Sequence, residues 1–193
     1  MGILLGRHGL DKVLNSGPSL LQDYSNHDGL LFKVYVLGDK VWVFQRPSLP
    51  NLPMGEIQEG EGRGFVEFDS QRPYPSLDDF GISADAEGTC SRKAAAADHN
   101  CSSTSDSSSK MDHGVTVAEI RPIADTIRKA FGLELFGFDI LVVRTEGNRK
   151  EMLVVDVNYF PSYKEVTNFS KMLAQYLAQC GIEGRLRSFE AER

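Results

Sequence analysis

The sequence predicts an α+β fold, a mostly antiparallel sheet with packed helices, and three observations carry that reading. Two are pairs of strand-like runs, each joined by a two-residue turn signal. "LLFKVYVL" meets "KVWVFQR" across Gly38-Asp39, and "ELFGFDILVV" meets "EMLVVDVNYF" across Gly147-Asn148. The third is a change of apolar spacing from alternation to helical period in two further segments.

The elements follow in chain order. Pairing about Gly38-Asp39 puts Phe32, Val34, Val36, Val41 and Val43 on one face, and Lys33, Tyr35, Trp42, Phe44 and Arg46 on the other. "VAEIRPIADTIRKAFGL" repeats Ile120, Ile123, Ala124, Ile127 and Phe131 at helical spacing and predicts a stop at Gly132, with Pro122 leaving the first turn open. Pairing about Gly147-Asn148 sets Glu146 against Arg149 and Arg144 against Glu151, opposite charges across the ladder. One face of that hairpin then carries Phe136, Phe138, Ile140, Val142, Leu153, Val155, Val157 and Tyr159, an apolar surface for the core. The last segment repeats Phe169, Met172, Leu173, Tyr176, Leu177 and Cys180, and predicts an amphipathic helix ending at Gly181.

A chain of 193 residues, 41% hydrophobic and 25% charged, suits one ordinary globular domain or one and a half small ones. A net charge of -6 argues against a general nucleic-acid or anionic-membrane surface. The start, "MGILLGRHGL", lacks the basic region and length of a signal peptide or membrane span, so the expected location is the cytoplasm or nucleus. Cys90, Cys101 and Cys180 have neither metal-ligand spacing nor a disulfide framework. Residues 84–113 are serine-rich and poor in apolar residues, which predicts a disordered insert between segments 1–83 and 114–193.

The candidate chemistry lies on the two hairpins. Counting outward from Gly147-Asn148 sets Asp139 directly opposite Asp156, with Asn158 on the same face and small Gly137 across from it. Carboxylates opposed at roughly 5 Å repel unless a cation lies between them. Two carboxylates and an amide are hard oxygen donors suited to magnesium or calcium, with positions left for water and phosphate oxygens. Alternatively, Asp-x-Asn merely ends a strand and caps a turn. Lys33 and Arg46 are diagonal neighbours on the other hairpin, a cationic pair suited to a polyanion. "GEGRGF" from Gly60 lacks the lysine and hydroxyl residue of a phosphate loop and reads as a flexible connection. His8, His27, His99 and His113 show no ligand or catalytic spacing and read as surface or loop residues.

Taken together, "LLQDYSNHDGLLFKVYVLGDKVWVFQRPSLPNL", "GLELFGFDILVV" and "VVDVNYFPSY" resemble the inositol-tetrakisphosphate 1-kinase family, also called inositol 1,3,4-trisphosphate 5/6-kinases, of ATP-grasp fold. The likeness covers most of the chain outside the serine-rich insert. It implies the C-terminal part of such a kinase: segment 1–83 as the remainder of the central ATP-grasp region, and segment 114–193 as the C-terminal region with the metal-binding hairpin. The implied activity is transfer of the ATP γ-phosphoryl group to a hydroxyl of an inositol tris- or tetrakisphosphate, with magnesium, for which two ions are expected.

Residue by residue, the resemblance implies nucleotide contacts at Gln22, Asp23, Tyr24, Lys33, Ser48 and, through a looser alignment, Ser70. It implies substrate contacts at Lys33, Arg46, Asn158 and Ser162, and magnesium ligands at Asp139, Asp156 and Asn158. No catalytic base is assigned. The family pattern is a monomer without nucleic-acid or membrane partners, with the exposed sheet edge open to association. Ser162 departs from the glycine that many members carry there, and the family's N-terminal domain, a source of further basic residues, would precede Met1. A non-catalytic relative that binds nucleotide or inositol phosphate, or serves as a partner subunit, is the alternative reading.

Overall fold

The computed structural model describes residues 1–14, 17–53, 64–70, 72–82 and 115–191. The serine-rich insert, with Cys90, Cys101, His99 and His113, and the first four residues of "GEGRGF" lie outside the described residues. The strands are β1 (Gly2–Leu4), β2 (Leu30–Leu37), β3 (Lys40–Pro47), β4 (Phe65–Glu67), β5 (Leu135–Thr145) and β6 (Arg149–Asn158). The helices are α1 (Leu10–Leu14), α2 (Val117–Phe131) and α3 (Phe169–Ala191). The class is α+β, as expected.

β2, β3, β5 and β6 form one sheet in the order β3-β2-β5-β6, so each hairpin contributes one edge strand and one central strand. Both turns have the backbone their residues suggest. Gly38 takes a φ of 56° and Asp39 does not turn positive, the pattern of a turn that wants glycine first. A Cβ on Gly38 would also meet the Tyr176 ring at 2.5 Å, so space as well as torsion requires glycine. At the other turn both Gly147 and Asn148 have positive φ, 79° and 60°, as a type I′ turn demands.

Contacts divide the chain into two compact units. The first comprises Met1–Leu31, Arg46–Ala97 and Leu141–Leu153. Its short antiparallel pair β1-β4 sets Ile3 opposite Val66, and those two side chains join Leu52 and Phe80 in a core. The second unit comprises Phe32–Gln45, Asp98–Ile140 and Val154–Arg193. Its core on one sheet face is Tyr35, Tyr163 and Val166, with Trp42, Phe44, Leu135, Phe169 and Met172 packed around them. Alternation sends Phe32, Val34, Val36, Phe136, Phe138 and Ile140, all buried, toward the opposite face.

α2 starts at a capping box that the sequence reading did not name. Glu119 N donates to Thr116 Oγ1 at 3.3 Å, and the Glu119 carboxylate accepts from Thr116 N at 2.8 Å. Pro122 sits inside the helix, in its second turn, and the helix ends at Gly132 with φ 63°, where it was expected to end. Ile120, Ala124 and Ile127 are buried, but Phe131 at the last position is exposed.

Two expectations fail. α3 does not stop at Gly181 but runs on to Ala191. Gly181 lacks the positive φ of a terminating glycine, and the residues after it are mostly good helix formers that outweigh one glycine's cost of about 1 kcal/mol. Leu177 and Cys180, assigned to its apolar face, are exposed. The apolar face of the second hairpin is a core face on β5 but not on β6, where Val155 is 42% exposed, nor at Tyr159 just beyond it, which is 74% exposed. β6 is an edge strand with one neighbour, so its side chains lack the cover that flanking strands give β5.

Candidate functional site

In the second unit, the two charged hairpin faces become one. Lys33 on β2 reaches Asp139 on β5, with Nζ 3.6 Å from Oδ1, and their side chains are 33% and 17% exposed. Asp139 thus has a cationic partner on the neighbouring strand, distinct from the cation expected between Asp139 and Asp156. An ion pair this accessible adds about 1 kcal/mol at most to stability. Its weight lies in holding a carboxylate and an ammonium in one place.

The same face carries the segment that follows β6. Asn158 closes β6, and its side-chain oxygen accepts from Phe160 N at 3.0 Å, so the turn-capping role is real. An amide oxygen has two lone pairs, and capping uses one. Pro161 is buried against Gly137, where a Cβ would lie 2.9 Å from Pro161 Cγ and 3.0 Å from Val34 O. Glycine at 137 thus lets the segment after Asn158 lie directly on the sheet. Ser162 is exposed beside Pro161.

Tyr163 then fastens that segment. Its backbone is left-handed, φ 50°, an uncommon state for an aromatic residue. Its hydroxyl is shared between Val36 O at 3.1 Å and Phe136 O at 3.0 Å, one carbonyl on each central strand. The ring stacks on Phe169 with centroids 3.9 Å apart, and burial pushes its phenol pKa upward. Glu165 accepts a hydrogen bond from the buried Tyr35 hydroxyl. A strained residue held by several independent contacts is the pattern of a preorganised loop.

Asp156 is exposed on β6, and neighbouring β5 carries Asp139. Among the described residues, no three His, Cys, Asp or Glu side chains cluster as metal ligands. A hard cation here would depend on the amide oxygen of Asn158 as third donor, which fits magnesium chemistry and not zinc.

The first unit holds the other candidates. Residues 19–27 form neither helix nor strand, and Gln22 and Asp23 are exposed in it. Tyr24 donates through its hydroxyl to Pro50 O at 2.7 Å. Asn26 binds the backbone of Leu52 twice, donating from Nδ2 to its O at 2.6 Å and accepting from its N at 2.8 Å. Asn51 Oδ1 in turn accepts from the N–H groups of His27 and Asp28, at 3.1 and 2.8 Å.

His27 lies in a loop, as expected, but not at the surface. It is 4% exposed, with Nδ1 2.7 Å from Ser25 O and Nε2 2.9 Å from Ser48 Oγ. Sequence reading missed it because Ser48 lies 21 positions away, beyond any local pattern. Arg46 lies half-buried near the end of β3, and Ser70 is exposed just beyond β4.

A model of the inositol 1,3,4-trisphosphate 5/6-kinase ATP-grasp domain matches residues 1–179. The chain belongs to the inositol 1,3,4-trisphosphate 5/6-kinase family. Inositol-tetrakisphosphate 1-kinase 5 of Oryza sativa subsp. japonica is 29% identical over 178 residues, which is 91% of this chain and 44% of that protein. Inositol-tetrakisphosphate 1-kinase 1 of Arabidopsis thaliana is 29% identical over 165 residues, 86% of this chain and 44% of its own. Inositol-tetrakisphosphate 1-kinase 3 of Glycine max is 31% identical over 170 residues, covering 85% and 38%. The chain therefore spans less than half the length of these relatives. No helix among the described residues is long and apolar enough to cross a membrane.

Proposed function

We propose that this chain is part of an ATP-dependent inositol polyphosphate kinase, transferring the γ-phosphoryl group of ATP to a hydroxyl of an inositol tris- or tetrakisphosphate. The single observation that carries the proposal is the Lys33–Asp139 pair on the sheet face that also holds the pinned Asn158–Glu165 segment, in a chain matched by an ATP-grasp kinase domain.

Phosphoryl transfer between polyanions needs charge neutralisation and positioning more than a covalent nucleophile. Asp139, Asp156 and Asn158 are the residues that would hold magnesium, which when bound neutralises charge on the β- and γ-phosphate oxygens. In the second unit Lys33 supplies a cation for phosphate, and the Asn158 and Ser162 side chains bear on the inositol phosphate. Tyr163 keeps their segment on the sheet. In the first unit we assign nucleotide contacts to Gln22, Asp23, Tyr24, Ser48 and Ser70, and a substrate phosphate to Arg46. No side chain is assigned as general base.

The test is a phosphoryl-transfer assay with Mg·ATP and a panel of inositol tris- and tetrakisphosphates. Turnover should fall roughly 100-fold or more in Asp156→Asn and in Lys33→Met, the scale of losing a charge-stabilising group. Unaltered turnover in both variants would overturn the assignment. Binding of both ligands without turnover would leave this chain a binding relative and not a kinase.

A further inference from the structure

The contacts of His27 fix a proton, and with it the hydrogen-bonding sense of Ser48. Ser25 O, 2.7 Å from Nδ1, can only accept, so Nδ1 carries the hydrogen. In a neutral imidazole the other nitrogen then offers a lone pair. Nε2 therefore accepts from the Ser48 hydroxyl at 2.9 Å. A hydroxyl has one hydrogen, and this one points at His27. Only oxygen lone pairs remain for anything else that meets Ser48.

The arrangement is held from several sides. His27 is 4% exposed, so water has little access to exchange partners. Its backbone N–H is bound by Asn51 at 3.1 Å, and Ser48 N donates to Gly29 O at 2.8 Å. Turning the hydroxyl outward would leave Nε2 without its donor in a buried setting, a costly exchange.

We propose that Ser48 is an obligate hydrogen-bond acceptor toward ligand, and that His27 is the positioning residue that makes it one. This deepens, and rests on, the reading of Ser48 as a nucleotide contact. Ionised phosphate oxygens have no hydrogen to give, so Ser48 does not bind the phosphate tail. The donors that ATP offers are its ribose hydroxyls and the adenine amino group, and Ser48 meets one of these. His27 and Ser48 thereby select the nucleoside portion, whereas phosphate recognition falls to cationic groups.

Two measurements on the folded chain test this. Long-range proton–nitrogen NMR of the His27 ring should show the hydrogen on Nδ1. A ring protonated on Nε2, whether alone or together with Nδ1, overturns the proposal, whatever ligand binds. Affinities are then compared for ATP, its 2′-deoxy and 3′-deoxy analogues and inosine triphosphate, with Mg²⁺ present. The unaltered chain should lose up to about tenfold with one of the three, and Ser48→Ala should bind ATP and that analogue equally. An equal cost of Ser48→Ala for ATP and all three analogues overturns the proposal. If ATP does not bind at all, the nucleotide reading fails, and the His27 spectrum alone then decides the acceptor assignment.

Discussion

Tyr24, 37% exposed, shows how partial desolvation of a single residue links to pH. Its hydroxyl donates to Pro50 O, and desolvation pushes its pKa up to about 12. In the unfolded chain a tyrosine ionises near 10. The folded form holds the proton more tightly, so the stability it contributes is intact below pH 10 and is lost as pH rises toward 12. Tyr163 and Tyr176 are raised too, burial being the main cause in each. Denaturant unfolding between pH 9 and 12 should show a steep fall, shallower in Tyr24→Phe. Tyr163→Phe keeps the ring stack but strips the hydroxyl from two carbonyls, and should cost about 1–2 kcal/mol at neutral pH. Local patterns exposed Lys33, Asp139 and Asn158 as candidates because the hairpin period fixes their face. They could not expose His27, whose partners come from a loop closed by Asn26 and Asn51, nor the bond from Tyr35 to Glu165, 130 positions on.

At the scale of elements, glycines separate what was legible from what was not. Both hairpin turns were readable because a two-residue turn has few chemical solutions. Gly38 and Gly147 have positive φ, but only Gly38 has a ring within 4 Å of a would-be Cβ. Gly147→Ala should therefore cost only the backbone strain, about 1–2 kcal/mol, and Gly38→Ala distinctly more, with Tyr176 displaced. Equal losses would contradict the packing account. Gly181 is the reverse case. It sits inside α3 with nothing within 4 Å of a Cβ, so Gly181→Ala should raise stability by about 0.5–1 kcal/mol and increase helical circular dichroism. The helix was misread there because a stop glycine and an interior glycine are the same letter, distinguished only by φ. The β6 face was misread for a related reason: alternation tells which residues share a face, not whether anything covers it.

At the scale of the molecule, the family follows from a domain match over residues 1–179, and the α+β class from two hairpins and two long helices. Both were legible because they rest on period and order, which sequence carries directly. The expected ligand set is Asp139, Asp156 and Asn158, and the geometry adds an ion pair between Asp139 and Lys33, a cation the sequence had singled out on the other hairpin. The central claim is that these groups hold Mg·ATP. Isothermal titration of the folded chain with ATP, with and without Mg²⁺, beside Asp156→Ala, tests it most directly. The account predicts binding that needs the metal and is lost in the variant. Binding that ignores both metal and Asp156, or none up to millimolar nucleotide, would contradict it.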